Sequence, residues 1–490
     1  MKLKDLLKNV EVVNSINFDE DINIESVCDN SNKCVKNSMF VCINGYNTNG
    51  QQYVRQAQKN GAIVVVSENI DNLKLCQIVV KNSRKALSII SQNFYNNVNK
   101  KLKIIGVVGT NGKTSCSNII FYMLGNLNKK VGMIGTNIVK FNNKEYEIDL
   151  TTPDPLQLNE WFFKMQQQDV EYVVMEVSAH AIYLNKVFGI KFECLLYTNI
   201  SQDHLDFFKT MENYSKVKID FFNLKNAKSC VINVDDNYAK TLLSQTDLPV
   251  LTYGIKNPSD IFAINVKMDL SGSSFVSNIC DDIGSVITNL KGLFNVYNIL
   301  GAMGVIKMLG FSSEDIFNSV KKLNTVKGRF NILKCGQNFN VVIDYAHTPE
   351  SLETILSEIK SLTKNDIICV FGCPGNRDEL KRSLMGEIAG KYCSFVVITN
   401  DNCQYENSFL IMKEIEKGVK KTNCQYLMVE DRKMAIKCAM SVIKPNQTLL
   451  IAGKGMENYQ NVNGFKVPYS DFKVATECLT QMFGQKKYTK

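Results

Sequence analysis

The sequence predicts an α/β protein of three units with a mostly parallel sheet at its centre, and three observations lead there. At 490 residues the chain exceeds what one hydrophobic core serves. Short apolar, β-branched runs alternate with helical spacing, and the alternation restarts after residue 330. Residues 103–119, KIIGVVGTNGKTSCSNI, read as strand, glycine loop and helix.

In chain order, residues 1–98 carry apolar runs at 39–43 and 62–66 among helical segments, which suits a small α/β domain. The polar, basic stretch 96–103 is a connector, so a second unit covers 99–330. Its strands are read at 104–108, 172–175, 194–197 and 230–234. The glycine loop follows the first, Glu176 the second and Thr198-Asn199 the third. Ligands of open α/β sheets bind beyond the carboxyl ends of the strands, so these residues are expected to face one crevice. In the third unit, 331–490, strands at 341–343, 367–371, 395–398 and 449–451 end in Asp344-Tyr345-Ala346-His347, Gly372-Cys373-Pro374-Gly375, Asn400-Asp401-Asn402 and Gly453-Lys454-Gly455. They make a second ligand-facing rim. No internal repeat or low-complexity tract interrupts the pattern.

Hydrophobic residues at 45% and charged residues at 21% are ordinary for a soluble globular protein. The net charge of +9 is spread along the chain without the basic block of a nucleic-acid binder, which leaves acidic small molecules or a solvated surface. The first ten residues lack the apolar core of a signal peptide, and no apolar run is long enough to cross a bilayer. A cytoplasmic protein is expected. The sixteen cysteines include no C-x-x-C pair and read as small buried hydrophobes and free thiols. Three histidines, His180, His204 and His347, give little support to a histidine-based zinc site.

The loop Gly109-Thr110-Asn111-Gly112 opens a helix at Lys113, where backbone N–H groups and the helix dipole favour phosphate. Lys113 would neutralise the β and γ phosphates, and the Thr114 hydroxyl can ligate Mg²⁺. With two residues between its glycines instead of four, the pattern also fits a structural strand-to-helix turn. Glu176, in VVMEVSAH, and His204, in TNISQDHLD, could complete a metal site, or His204 could be a hydrogen-bonded core residue. Lys218 lies in a helix-like run whose composition equally suits a solvated lysine. Arg329 could stack on a base or stabilise transferring phosphate, or pair across a domain boundary.

Taken together, the ordered strings GTNGKTS (109–115), TTPDPL (151–156), MEVSAHA (175–181), TNISQDHLDFF (198–208), GLFNVYN (292–298), GRF (328–330), IDYAHTPESLE (343–353), GCPGNRDELKRSLMGEIA (372–389) and IAGKGMENYQ (451–460) resemble those of the Mur ligase family. The likeness runs over nearly the whole chain, and TTPDP with GCPGNRD resembles the tripeptide synthetases within it. The resemblance implies a UDP-sugar-binding domain (1–98), a central P-loop ATPase domain (99–330) and a Rossmann-like amino-acid-binding domain (331–490). It implies that ATP phosphorylates the D-Glu carboxylate of UDP-MurNAc-L-Ala-D-Glu and that a diamino acid, meso-diaminopimelate or L-lysine, attacks the acyl phosphate. This is a step of peptidoglycan precursor synthesis in the bacterial cytoplasm, expected of a monomer.

By the same resemblance, Gly109 to Ser115, Asn295, Arg329, Asp344 and His347 match ATP contacts, with Lys113, Glu176, His204 and Lys218 as the catalytic set. Thr114, Glu176, His204 and a carbamylated Lys218 match the Mg²⁺ ligands. Thr151, Thr152, Ser178, Lys186 and Ser31 match contacts to the UDP-muramoyl peptide, Lys186 standing where the family usually has Arg. Arg377, Asn402, Gln404, Gly453 and Glu457 match the acceptor site. The chain departs from the family at Asn30-Ser31-Asn32 for D-S-R, Met456 for His, and Asp401-Asn402-Cys403-Gln404 for D-N-P-R. A neutral Gln404 cannot form an ion pair with a distal carboxylate. Two other readings stand beside the ligase: a divergent paralogue joining a different carboxylate and amine, and a non-catalytic binding protein on the same fold.

Overall fold

Lys103–Val108 (β1) lies at the heart of an eleven-stranded sheet and delivers the glycine loop to its carboxyl edge. The computed structural model describes residues 1–45, 49–70, 74–321, 323 and 328–484. Beside β1 in this sheet run Val131–Gly135 (β2), Tyr172–Val177 (β3), Cys194–Tyr197 (β4), Cys230–Asn233 (β5), Val250–Gly254 (β6) and Ile261–Met268 (β7). Their spatial order is β2-β3-β1-β4-β5-β6-β7, all parallel. Antiparallel strands close both ends: Ile138–Phe141 and Lys144–Glu147 beyond β2, Ser273–Ile279 and Asp282–Thr288 beyond β7. From β1 the chain crosses to one side and returns to the other through β4, so the strand order reverses at the glycine loop, where such sheets hold ligands.

Burial explains why these runs are strands. β1 from Ile104 to Val108 and all of β3 are buried, as expected of parallel strands covered on both faces. Helix Lys113–Asn126 (α1) and helix Leu293–Met308 (α2) pack together on one face. On the other face Phe162, Phe192, Tyr197 and Phe222 fill the core.

A five-stranded sheet precedes this one. Strands Ser26–Cys28, Ser38–Val41, Ala62–Ser67 and Cys76–Val80 are parallel, with Val12–Ile16 antiparallel at the edge. Helix Ser83–Phe94 joins it to the central unit: Ser88 Oγ donates to the Asn185 carbonyl at 2.6 Å and Gln92 Nε2 to that of Phe188 at 2.8 Å. The stretch 96–103, read as a connector, carries a 3-10 turn at Val98–Lys101, and its Val98 and Asn99 are buried. Charge at the neighbouring lysines hid that anchoring.

The C-terminal sheet holds Asn340–Asp344 (β8), Ile367–Phe371 (β9), Phe395–Ile398 (β10), Gln425–Met428 (β11) and Thr448–Ala452 (β12). They are parallel in the order β8-β12-β9-β10-β11, with Asn331–Leu333 antiparallel on the β8 edge. Hairpin Tyr459–Val462 with Phe465–Pro468 lies beside its loops. Arg432 and Asp471, both without exposed side-chain area, brace this unit through two 2.8 Å bonds. None of the sixteen cysteines, all of them among the described residues, is in a disulfide, and thirteen are buried. No helix among the described residues is long and apolar enough to cross a membrane.

Candidate active site

The carboxyl ends of the central and C-terminal sheets face one cavity of about 1140 Å³. It gathers Thr110 to Ser115, Thr151, Glu176, Ser178 and His204 from the central unit. Arg329 comes from the boundary between the units, and from the C-terminal unit come Asp344, His347, Arg377, Asn402, Gln404, Gly453 and Glu457. Six expected site residues do not line it: Ser31, Gly109, Thr152, Lys186, Lys218 and Asn295.

The glycine loop is shaped by what surrounds it. A Cβ on Gly109 would stand 1.8 Å from Thr198 Oγ1, and Gly112 takes φ +84° as the residue that starts α1, so both positions need glycine. The Asn199 carbonyl and side chain accept from the N–H groups of Thr110 and Asn111 at 2.8 and 2.9 Å. Lys113 folds back to donate to the carbonyls of Gly109 and Thr110 at 2.9 and 2.8 Å. Burial lowers its pKa, against the opposing pull of Glu176 and Asp203. A half-buried cation at a helix N-terminus is a ready partner for anionic oxygens.

Glu176 lies inside β3, paired in register with Val107, and not after the strand as its sequence suggested. Strand pairing carries on through Val177, because β1 offers partners up to Val108. Glu176 Oε2 accepts from the hydroxyls of Thr114 at 3.0 Å and Thr136 at 3.1 Å, and Oε1 from the Thr136 N–H at 3.0 Å. Thr136 joins onward to Thr151 at 3.1 Å; Thr152 donates to the Glu176 carbonyl at 2.9 Å and accepts from the Ser178 N–H at 3.1 Å. Threonine and carboxylate oxygens so arranged are hard donors suited to Mg²⁺. Among the described residues no cluster of three or more His, Cys, Asp and Glu side chains forms, so phosphate or water oxygens would have to complete such a site.

His204 adopts φ +56° ahead of a short helix, with its Nε2 3.4 Å from Asp203 Oδ2. Burial pushes the imidazole down to about 3, against Asp203, so it is neutral and able to offer a lone pair. Asp203 is ionised: although burial opposes it, His204, Lys381, His347 and Lys113 hold its carboxyl well below the usual range.

Lys218 is buried behind the wall and is not solvated. On helix Met211–Ile219 its Nζ donates to Tyr214 OH at 2.7 Å and Thr110 Oγ1 at 3.0 Å. Burial, and next Lys113, lower its pKa well below the usual range, which favours the neutral amine over the ammonium.

At the far end Asp344 accepts from the N–H groups of Phe330 and Ala346 at 2.7 and 2.8 Å, fixing Arg329 over the Tyr345 ring with Cζ 4.7 Å from its centre. Asn295 reaches the loop indirectly: it accepts from Asn298 Nδ2 at 3.1 Å, whose Oδ1 lies 2.8 Å from where a Gly112 Cβ would be. His347 Nδ1 lies 2.9 Å from the Tyr345 carbonyl. Lys454, fully buried, donates to Asn402 Oδ1 at 2.9 Å and Glu457 Oε2 at 2.8 Å, with Asp401 at 3.4 Å. Tyr345 OH donates to Glu457 Oε1 at 3.1 Å. Asn111 Nδ2 donates to Glu350 Oε2 at 2.6 Å, tying loop to C-terminal unit.

Comparison with known proteins decides the family. The Mur ligase family, catalytic domain, matches residues 23–109; the Mur ligase middle domain, 107–306; and the Mur ligase, glutamate ligase domain, 328–455. A protein of Caldanaerobacter subterraneus subsp. tengcongensis named "UDP-N-acetylmuramoyl-L-alanyl-D-glutamate--2,6-diaminopimelate ligase" is 39% identical, covering 98% of this chain and 99% of its own.

The chain belongs to the Mur ligase family.

A protein of Clostridium acetobutylicum with the same name, numbered 1, is also 39% identical, over 99% of this chain and 100% of its own. The solved structure of a UDP-N-acetylmuramoyl-L-alanyl-D-glutamate--2,6-diaminopimelate ligase matches with TM-score 0.70 at 27% identity, covering 98% of this chain and 99% of that one. In this Mur ligase Lys186, away from the cavity, pairs with Asp154 at 2.7 Å. Burial raises Asp29, two residues from Ser31, followed by Asp154, with Lys33 and Lys186 opposing. The sequence alone assigned no role to Asp203, Thr136, Tyr214 or Lys454. Asp203 and Lys454 lay within motifs, beside His204 and Gly453; Thr136 carries no local signal, since Glu176 is 40 residues away, and Tyr214 was hidden because its link to Thr110 spans 104.

Proposed function

We propose that the protein is an ATP-dependent ligase joining 2,6-diaminopimelate to UDP-MurNAc-L-Ala-D-Glu by an amide bond, in peptidoglycan precursor synthesis in the bacterial cytoplasm. The observation that carries this is the single cavity in which the loop, Lys113 and Glu176 face the acceptor loop of Asn402 and Glu457. The full-length likeness to proteins named for this reaction selects the substrates. Residues 1–98 bind the UDP-sugar in this reading, 99–330 bind ATP, and 331–490 bind the amino acid.

In the proposed mechanism the loop amides and Lys113 hold the phosphates, Arg329, Asp344 and His347 with Asn295 behind the loop serve the nucleotide, and Thr151, Thr152, Ser178, Lys186 and Ser31 orient the muramoyl peptide. A carboxylate oxygen of D-Glu attacks the γ-phosphorus and ADP leaves. The acceptor amine then attacks the acyl carbon, phosphate departs with the carboxylate's oxygen, and the amine's proton is released. Alignment and charge neutralisation are the protein's main contributions to phosphoryl transfer. Thr114, Glu176 and His204 would hold Mg²⁺, which supplies charge neutralisation at the phosphate oxygens. Arg377, Asn402, Gln404, Gly453 and Glu457 would hold the acceptor, with Glu457 facing an ammonium.

Lys218 suits carbamylation. Its lowered pKa favours the uncharged amine that attacks CO₂, losing a proton to give an anionic carbamate, whose charge Lys113 would attract where it repels an ammonium. The carbamate would add an oxygen ligand behind Thr110.

The acyl-phosphate route is tested by labelling the D-Glu carboxylate with ¹⁸O. Label in the released phosphate supports it; unlabelled phosphate with amide product overturns it.

A further inference from the structure

The acceptor end of the cavity holds a cation that the ligase reading leaves without a role. Besides Arg329, three cations from the C-terminal unit line the cavity: Arg377, Lys381 and Lys466. Lys381 is buried and donates to the His347 carbonyl at 3.2 Å. Arg377 presents its charge to His180 and His204. Lys466 is half exposed, and its charge is met across the domain boundary by Asp149, 2.5 Å away and 83% exposed.

Main-chain bonds hold Lys466 beside the acceptor loop. Gln404 N–H donates to the Asn461 carbonyl at 3.1 Å, and Asn463 N–H to that of Gln404 at 2.6 Å, stitching the hairpin to the loop. Asn461 and Lys466 are register partners, so with Tyr459 they share one hairpin face, and all three line the cavity. The Tyr459 ring has Lys466 Nζ 4.7 Å and Lys454 Nζ 5.9 Å from its centre. Lys466 therefore stands one aromatic ring from the Lys454–Asn402–Glu457 group.

Diaminopimelate differs from lysine by a second carboxylate on its far carbon. A site that prefers it needs one more cation than a lysine site. We propose that Lys466 is the specificity-determining cation for that second carboxylate, and that Asp149 holds its place when no acceptor is bound. An exposed ion pair contributes little, so a substrate carboxylate displaces Asp149 readily. This inference rests on the ligase reading above.

The test compares kcat/KM for meso-diaminopimelate and L-lysine in the full chain, wild type, Lys466→Met, Lys466→Arg and Asp149→Asn, with ATP and UDP-MurNAc-L-Ala-D-Glu. Lys466→Met lowers the diaminopimelate-to-lysine ratio at least about tenfold, through KM for diaminopimelate and not for ATP. Lys466→Arg keeps most of the preference, and Asp149→Asn lowers KM for diaminopimelate. An unchanged ratio in Lys466→Met overturns the inference while leaving the ligase intact. So does equal loss on both acceptors in Lys466→Met and Asp149→Asn, which marks a mere domain latch. A wild type that ligates neither acceptor overturns the ligase reading and this inference together.

Discussion

The hydroxyl of Thr114, at the start of α1, donates to Oε2 of Glu176, inside β3, at 3.0 Å. Loop and strand thus present two hard oxygens to one point of the cavity. Glu176→Gln keeps the shape and removes the charge, so turnover falls about a hundredfold or more with little change in melting temperature. Glu176→Ala also strips the Thr136 N–H of its acceptor, costing about 1–3 kcal/mol of stability. Steady-state kinetics and thermal melts on both variants separate the two effects.

Lys113→Ala removes the cation that now caps two loop carbonyls. ATP turnover falls by about a hundredfold or more while circular dichroism stays native. Undiminished turnover contradicts the P-loop role.

For Lys218 the expected signature is chemical rescue. Lys218→Ala loses activity, and small carboxylates such as acetate restore part of it by supplying the missing anion. A fully active, carboxylate-independent variant contradicts carbamylation.

The three histidines make a pH prediction with a definite sign. Burial lowers His180, takes His204 to about 3, and takes His347 to about 4 from an ordinary 6.5. The unfolded chain binds these protons first, so their stabilisation is complete above pH 6.5 and is lost as the pH falls toward 4. Burial-raised carboxyls such as Asp29 and Asp344 act oppositely. The comparison is therefore between wild type and His347→Asn, whose melting temperature declines less over that window. Parallel curves contradict it.

Much of the architecture was legible in local sequence. Alternating β-branched runs marked the parallel strands, and glycines at 109 and 112 marked a loop that structure shows to be sterically obliged. Glu176 was misplaced by one structural boundary because strand ends are set by a partner's length, here Val108 of β1. The burial of Lys218 was invisible, since its partner Thr110 is 108 residues away, and Tyr214, four residues away, is as common beside a solvated lysine. Asn111 with Glu350, 239 residues apart, illustrates the same limit for the contacts between units.

The most direct measurement is phosphate release by the purified full chain with ATP, Mg²⁺ and UDP-MurNAc-L-Ala-D-Glu, with and without meso-diaminopimelate, and with product mass read in parallel. The account predicts phosphate release coupled to a product in which diaminopimelate has joined the muramoyl dipeptide with loss of water. Folded, ATP-binding protein that yields no such product with this pair of substrates would contradict it.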